Sequence, residues 1–171
     1  MSLTPPVNER DHVQGPAEAP LTLVEYGDFQ CPYCAEAAVI VDRVRARYGD
    51  RLRFVFREFP LMQIHPYALG AARAAEAAAQ AGRFWPMHDA LFADQDSLDA
   101  RDLVRTGEAL GIDPEGIVRG LSGEFDPRIE ADLESGQASG VHGTPTFFLN
   151  GRRLDGWRED DLIEAIESAA A

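Results

Sequence analysis

The chain contains no lysine. All 16 of its basic residues are arginine, set against 29 acidic residues, so the formal net charge is −13 over 171 residues. A surface that negative repels nucleic acid and anionic bilayers, which excludes both as expected partners. The missing lysine, beside so much alanine, reads as a compositional bias of the source genome. No stretch approaches the roughly 20 apolar residues needed to span a bilayer. The start, Met1-Ser2-Leu3-Thr4-Pro5-Pro6, has neither a basic opening nor an apolar core and is no signal peptide. A cytoplasmic location is therefore expected, with an exported protein whose leader has been removed as the alternative. Four histidines (His12, His65, His88, His142) are scattered singly. Zinc wants about four ligands at close spacing, so no metal is expected. No internal repeat or low-complexity linker breaks the chain, and its length fits one domain with a sizeable core.

Cysteine is almost absent as well, and the two that occur are Cys31 and Cys34, separated only by Pro32-Tyr33. A disulfide across four residues is a weak staple, worth roughly 2 kcal/mol before strain is subtracted. A pair that close is better suited to making and breaking the bond. The apolar run Leu21–Tyr26 precedes the pair and a helical pattern follows it. Strand, turn and helix would put Cys31 at the helix N-cap with Pro32 at the first helical position. Unpaired N–H groups and the positive end of the helix dipole then favour a Cys31 thiolate. Cys34 lies one turn deeper and stays closer to an ordinary thiol, so Cys31 is read as the attacking sulfur and Cys34 as the resolving one.

The segment Val24-Glu25-Tyr26-Gly27-Asp28-Phe29-Gln30-Cys31-Pro32-Tyr33-Cys34 resembles the active-site segment of the DsbA-like thiol–disulfide oxidoreductases, a branch of the thioredoxin superfamily. So do Phe54–Leu61, Gly82–Asp89 and, more than a hundred residues after the cysteines, Gly143-Thr144-Pro145-Thr146-Phe147-Phe148-Leu149-Asn150-Gly151. The resemblance runs in one consistent order from about residue 7 to 168. It implies an α/β thioredoxin fold with a helical insertion domain, a cis Thr144–Pro145 bond packed against the sulfurs, and no bound cofactor. It also implies thiol- or disulfide-containing protein substrates and a separate redox partner. The protein is expected to act as a monomer.

Periodicity agrees in outline. Residues 1–20 are proline-rich and read as an extended arm. Leu21–Tyr26 and Leu52–Phe59 alternate as strands, and Pro32 to about Tyr48 has helical spacing, stopped by Gly49-Asp50. An alanine-dominated helix is expected over Ala68–Ala81, then apolar faces at Phe84/His88/Leu91/Phe92 and at Leu98/Leu103/Val104/Leu110. Asp113-Pro114 and Asp126-Pro127 each read as an N-cap followed by a helix-starting proline. The period then returns to strand. Thr146–Leu149 and Arg152–Leu154 flank Asn150-Gly151 as a hairpin with a type I′ turn, and Leu162, Ile163 and Ile166 mark a last helix. Residues 21–61 with 141–171 form the expected thioredoxin-like unit, and 62–140 the insertion.

Around the cysteines, Glu25 is an acid within an apolar strand. The resemblance implies that it accepts the proton of the resolving thiol, and burial would raise its pKa towards neutrality. The alternative is an edge-strand glutamate pointing into water. Asp28 is placed on the exposed turn before the helix. Pro32 and Tyr33 lie where they tune the sulfurs. Strongly oxidising members of the branch carry histidine where this chain has Tyr33, so a milder oxidant is expected. His142, three residues before Pro145, is expected near the rim, touching substrate or simply facing water. His88 reads as a packed helix residue, His65 as a loop end, Trp85 and Trp157 as core or interface aromatics. Two other functions stay open: a glutathione-dependent transferase or isomerase of the same architecture, and a non-catalytic module that binds peptides beside Pro145.

Overall fold

The computed structural model describes residues 1–170. Strands β1 (His12–Gln14) and β2 (Leu21–Gly27) lead into helix α1 (Pro32–Tyr48), and β3 (Leu52–Glu58) follows. Then come α2 (Ala68–Gln80), α3 (Phe84–Ala93), α4 (Ala100–Ala109), α5 (Pro114–Leu121) and α6 (Asp126–Ala138). The hairpin β4 (Thr146–Leu149) and β5 (Arg152–Arg153) and the helix α7 (Glu159–Ala170) complete the chain. The sheet order is β1-β3-β2-β4-β5, with β2 and β3 parallel and the other pairs antiparallel. The α/β thioredoxin fold expected from the sequence is the fold found.

Strand β2 is the middle of this sheet, and that fixes the site. Its pairing puts Glu25 beside Phe56 on one side and Phe147 on the other. Both faces of β2 are covered. Leu21 and Leu23 join the larger core with α1 and the inserted helices, while Val24 and Tyr26 pack with Val55, Phe59 and Phe148 on the other face. The hairpin turn is as the sequence predicts, with Asn150 at φ 49° and Gly151 at φ 79°, the left-handed pair a type I′ turn requires.

Two expectations are corrected and one is filled in. The N-terminal arm is not free of the sheet. His12–Gln14 pairs along the outer edge of β3, the ring of His12 stacks on Phe84, and Asp11 forms a buried ion pair with Arg57 at 2.7 Å. The helical insertion is present and shares the core of the sheet. Ala71, Ala75, Met87, Leu103 and Ile117 belong to the same apolar cluster as Leu23, Phe54 and Ile166. Asp126 is not an N-cap: the helix starts on it, and its carboxylate takes two hydrogen bonds from Arg73 at 2.7 and 2.6 Å. Asp113 does cap α5, accepting from the Glu115 N–H.

Helices α2 and α5 approach closely because small residues face each other. A Cβ on Gly120 would lie 2.6 Å from the Ala77 Cβ and 3.0 Å from the Arg73 carbonyl oxygen. Alanine is favoured over glycine in a helix by about 1 kcal/mol, but overpacking of this kind costs about 1–3 kcal/mol. Gly120→Ala is therefore expected to lower stability, read as a reduced midpoint in a denaturant titration. An increase would mean that the two helices move apart at little cost.

Candidate active site

The turn between β2 and α1 carries the chemistry. Cys31 is the N-cap of α1 in extended conformation (φ −71°, ψ 121°), and proline follows at the first helical position. Cys31 and Cys34 are both free thiols, 3% and 0% exposed. The N–H groups of Cys34 and Ala35 close the first turn onto the Cys31 carbonyl. From the far side of the fold, the peptide Thr144–Pro145 is cis, and the Thr144 carbonyl oxygen lies 3.5 Å from the Cys31 sulfur. The loop before β4 thus reaches the cysteines from more than a hundred residues away.

The two thiols are driven apart in acidity. The Cys31 pKa falls to about 6, chiefly because the Cys34 thiol donates a hydrogen bond to its sulfur. Burial opposes this. The Thr144 side chain and the N–H groups of Cys34 and Tyr33 add smaller lowering contributions. The helix N-terminus contributes through those N–H groups, but the partner thiol contributes more. Cys34 moves the other way, well above an ordinary thiol, because it is desolvated, donates a hydrogen bond to Cys31 and feels the charges of Glu25 and Cys31.

Glu25 is 1% exposed in the central strand, so the edge-strand reading does not hold. Burial, and secondarily the charge on Cys31, raise its pKa to about 8. Its Oε1 is buried with no hydrogen-bond partner, a free acceptor in the same electrostatic neighbourhood as both sulfurs.

Other expected residues fall at the rim. Tyr33 is 58% exposed and leans against Trp157, ring centroids 6.1 Å apart, and the Arg158 guanidinium stacks over that indole at 4.7 Å. His142 is exposed on the loop leading to Pro145 and bonds to neither sulfur. His88 is packed among Phe29, Phe56, Trp85 and Phe92.

Asp28 corrects the sequence reading. It is fully buried, its N–H donates to the Cys34 sulfur at 3.5 Å, and its carboxylate accepts from Gln30, Leu61 and His65. Gln95, in the connection after α3, was not foreseen either. Its amide donates to the carbonyls of Phe29 and Cys31 at 2.8 and 2.9 Å, clamping the turn. Trp157, Gln95 and His65 lie 34 to 126 residues from Cys31 in sequence, with no local pattern to mark them.

Known proteins place this arrangement. A family model described as thioredoxin matches residues 7–168. The crystal structure of a thioredoxin-like oxidoreductase from Silicibacter pomeroyi superposes with a TM-score of 0.84 at 28% identity, covering 95% of this chain and 94% of that one. Oxidised BdbD from Bacillus subtilis superposes with a TM-score of 0.83 at 26% identity, covering 94% and 93%. Among curated sequences, a protein named Na(+)/H(+) antiporter NhaA 1 from Mycolicibacterium gilvum is 48% identical over 164 residues. That match takes in 94% of this chain but only 27% of the relative, so the chain spans about a quarter of the length of such relatives. With a cysteine pair at the start of α1, a cis-proline loop beside it and these likenesses along almost its whole length, the chain belongs to the thioredoxin family, in its DsbA-like branch of thiol–disulfide oxidoreductases.

Proposed function

We propose that the protein exchanges electron pairs between its Cys31–Cys34 dithiol or disulfide and the cysteines of protein substrates, and exchanges them again with a redox partner, without a cofactor. The observation that carries this reading is the opposite displacement of two neighbouring thiols, Cys31 down to about 6 and Cys34 up. In the reducing direction the Cys31 thiolate attacks a substrate disulfide. A Cys31–substrate bond forms, the substrate S–S bond breaks, and one substrate sulfur leaves as thiolate. Cys34 then loses its proton to Glu25 and attacks the Cys31 sulfur. The Cys31–Cys34 bond forms and the second substrate thiolate leaves, so the enzyme loses two electrons and the substrate gains two. Oxidation of a substrate dithiol runs the same steps in reverse.

The charges order these steps. While Cys31 is a thiolate, its charge helps keep Glu25 protonated. Once Cys31 is capped in the mixed disulfide, that repulsion is gone and Glu25 ionises more readily, when a base is needed for Cys34. Thr144 presents its carbonyl at the Cys31 sulfur. A substrate chain lying along Thr144–Pro145 as an added strand would bring its own cysteine to the same point, with His142 and Tyr33 at its flanks. Tyr33 carries no positive charge to stabilise the thiolate further, which suits a milder oxidant than histidine would give.

The cytoplasmic location expected from the N-terminus finds no support among the relatives. We take the alternative instead, an exported protein whose leader has been removed.

The test is reduction of insulin disulfides by dithiothreitol, followed as turbidity. The protein is expected to accelerate it, with no conjugation of glutathione to an aromatic electrophile. Conjugation without insulin reduction would favour the transferase, and peptide binding with neither activity the non-catalytic module.

A further inference from the structure

Asp28 uses every polar group it has. Its carbonyl accepts from the Cys31 N–H at 3.0 Å and its own N–H donates to the Cys34 sulfur at 3.5 Å. One carboxylate oxygen, Oδ1, accepts from the Gln30 N–H at 2.8 Å. The other, Oδ2, accepts from the Leu61 N–H at 2.9 Å and from His65 Nδ1 at 2.7 Å. The Asp28 side chain is wholly buried and that of His65 nearly so, at 0% and 17% exposure. The loop after β3 is thus fastened to the turn that carries both sulfurs. A further bond from the Tyr67 N–H to Gln30 Oε1 at 2.7 Å closes the same seam. A buried carboxylate with three donors is costly to disturb, since a hydrogen bond to a charged group contributes about 1.5–3 kcal/mol.

We propose that Asp28 and His65 are positioning residues for the resolving step: the latch between them aims the Asp28 N–H at the Cys34 sulfur and so stabilises the thiolate that must form there. This rests on the exchange chemistry proposed above. The ionisable groups whose charges bear on the Cys34 sulfur are Glu25 from β2 and Cys31 from the turn; the Asp28 N–H favours the anion there, while desolvation, the hydrogen bond that the Cys34 thiol gives to Cys31 and both charges oppose it. The carboxylate holds the peptide plane, and His65 holds the carboxylate.

The steps separate in one experiment. Reduced protein is mixed with a stoichiometric amount of an aromatic disulfide whose released nitrothiophenolate absorbs visible light. The first release reports attack by Cys31, and the second reports Cys34 displacing the remaining aryl thiolate as the Cys31–Cys34 bond forms. In His65→Ala and Asp28→Ala the second phase is expected to slow about tenfold near neutral pH, as the loss of one well-placed bond to a charged group implies. Its pH midpoint is expected to move upward, while the first phase and its midpoint stay as in the wild type. His65→Gln, which can still donate from its amide, is expected to restore most of the second phase. His65 lies at the surface end of the latch, so its variants keep the test valid if Asp28→Ala fails to fold. A second phase with wild-type rate and midpoint in His65→Ala would overturn the proposal, as would a slowing equal in both phases or at every pH. Absence of any first phase in the wild type would instead overturn the exchange chemistry itself.

Discussion

Cys34→Ser is expected to accumulate as mixed disulfides with its substrates, whereas Cys31→Ser traps nothing and loses exchange activity. The direction follows from which sulfur is ionised. With a pKa of about 6, Cys31 is some 90% thiolate at pH 7, roughly 30-fold more than a free thiol of pKa about 8.5. Cys34 is buried, holds its proton, and has a raised pKa. Without it the bond from Cys31 to substrate has no internal thiol to break it. Non-reducing gels of each variant incubated with a cysteine-containing protein read the result, and equal trapping by both would reverse or cancel the assignment. The acidity also gives a check that needs no substrate. Thiolate absorbance of the reduced wild type should rise with a midpoint near 6. A thiol whose pKa is lowered on folding stabilises the folded state above its unfolded pKa, and that contribution is lost as the pH falls through the folded value. Reduced wild type should therefore gain stability over Cys31→Ser as the pH rises from about 6 towards 9.

The cysteines could be read from sequence because their meaning is local. Two cysteines three residues apart, with proline after the first, have few uses besides exchange. The same holds for the hairpin, where Asn150-Gly151 between two short strand segments calls for one kind of turn. What the sequence could not show depends on partners that only the fold supplies. Glu25 faces water or a core according to whether its strand is an edge or the centre, and the pattern of β2 is compatible with both. Placement between β3 and β4 decides it. Asp28 sits among Gly27, Phe29 and Gln30 in a stretch that reads as a solvated turn. It is buried because the loop after β3 brings Leu61 and His65 to its carboxylate. Strand His12–Gln14 is three residues long, too short for any period, and exists because the outer edge of β3 is open to it. Helix geometry correctly pointed to an acidic Cys31, yet the largest contribution comes from the Cys34 thiol, a contact within the pair itself.

Replacing Glu25 by glutamine separates its chemical role from its cost. Its carboxyl is wholly buried, and its pKa is about 8 in the fold against the ordinary carboxyl value near 4.3 once unfolded. Between those values the folded protein holds a proton that the unfolded chain has released, so stability falls as the pH rises through this window. At full ionisation the penalty is roughly 4–5 kcal/mol, scaling the shift at 1.36 kcal/mol per unit. Glu25→Gln keeps the shape of the neutral acid and cannot ionise. Its stability should match the wild type near pH 4.5 and exceed it at pH 9 in denaturant titrations of the reduced form; in the oxidised form, where Cys31 carries no charge to raise the Glu25 pKa, the gain should be smaller. The variant should also resolve mixed disulfides at least about tenfold more slowly near neutral pH, the usual worth of a positioned base being 10²–10⁴, while Cys31 attacks at close to the normal rate. Slower attack with normal resolution would assign Glu25 to the wrong sulfur. Wild-type kinetics together with the stability gain would leave it as a buried acid with no part in the exchange.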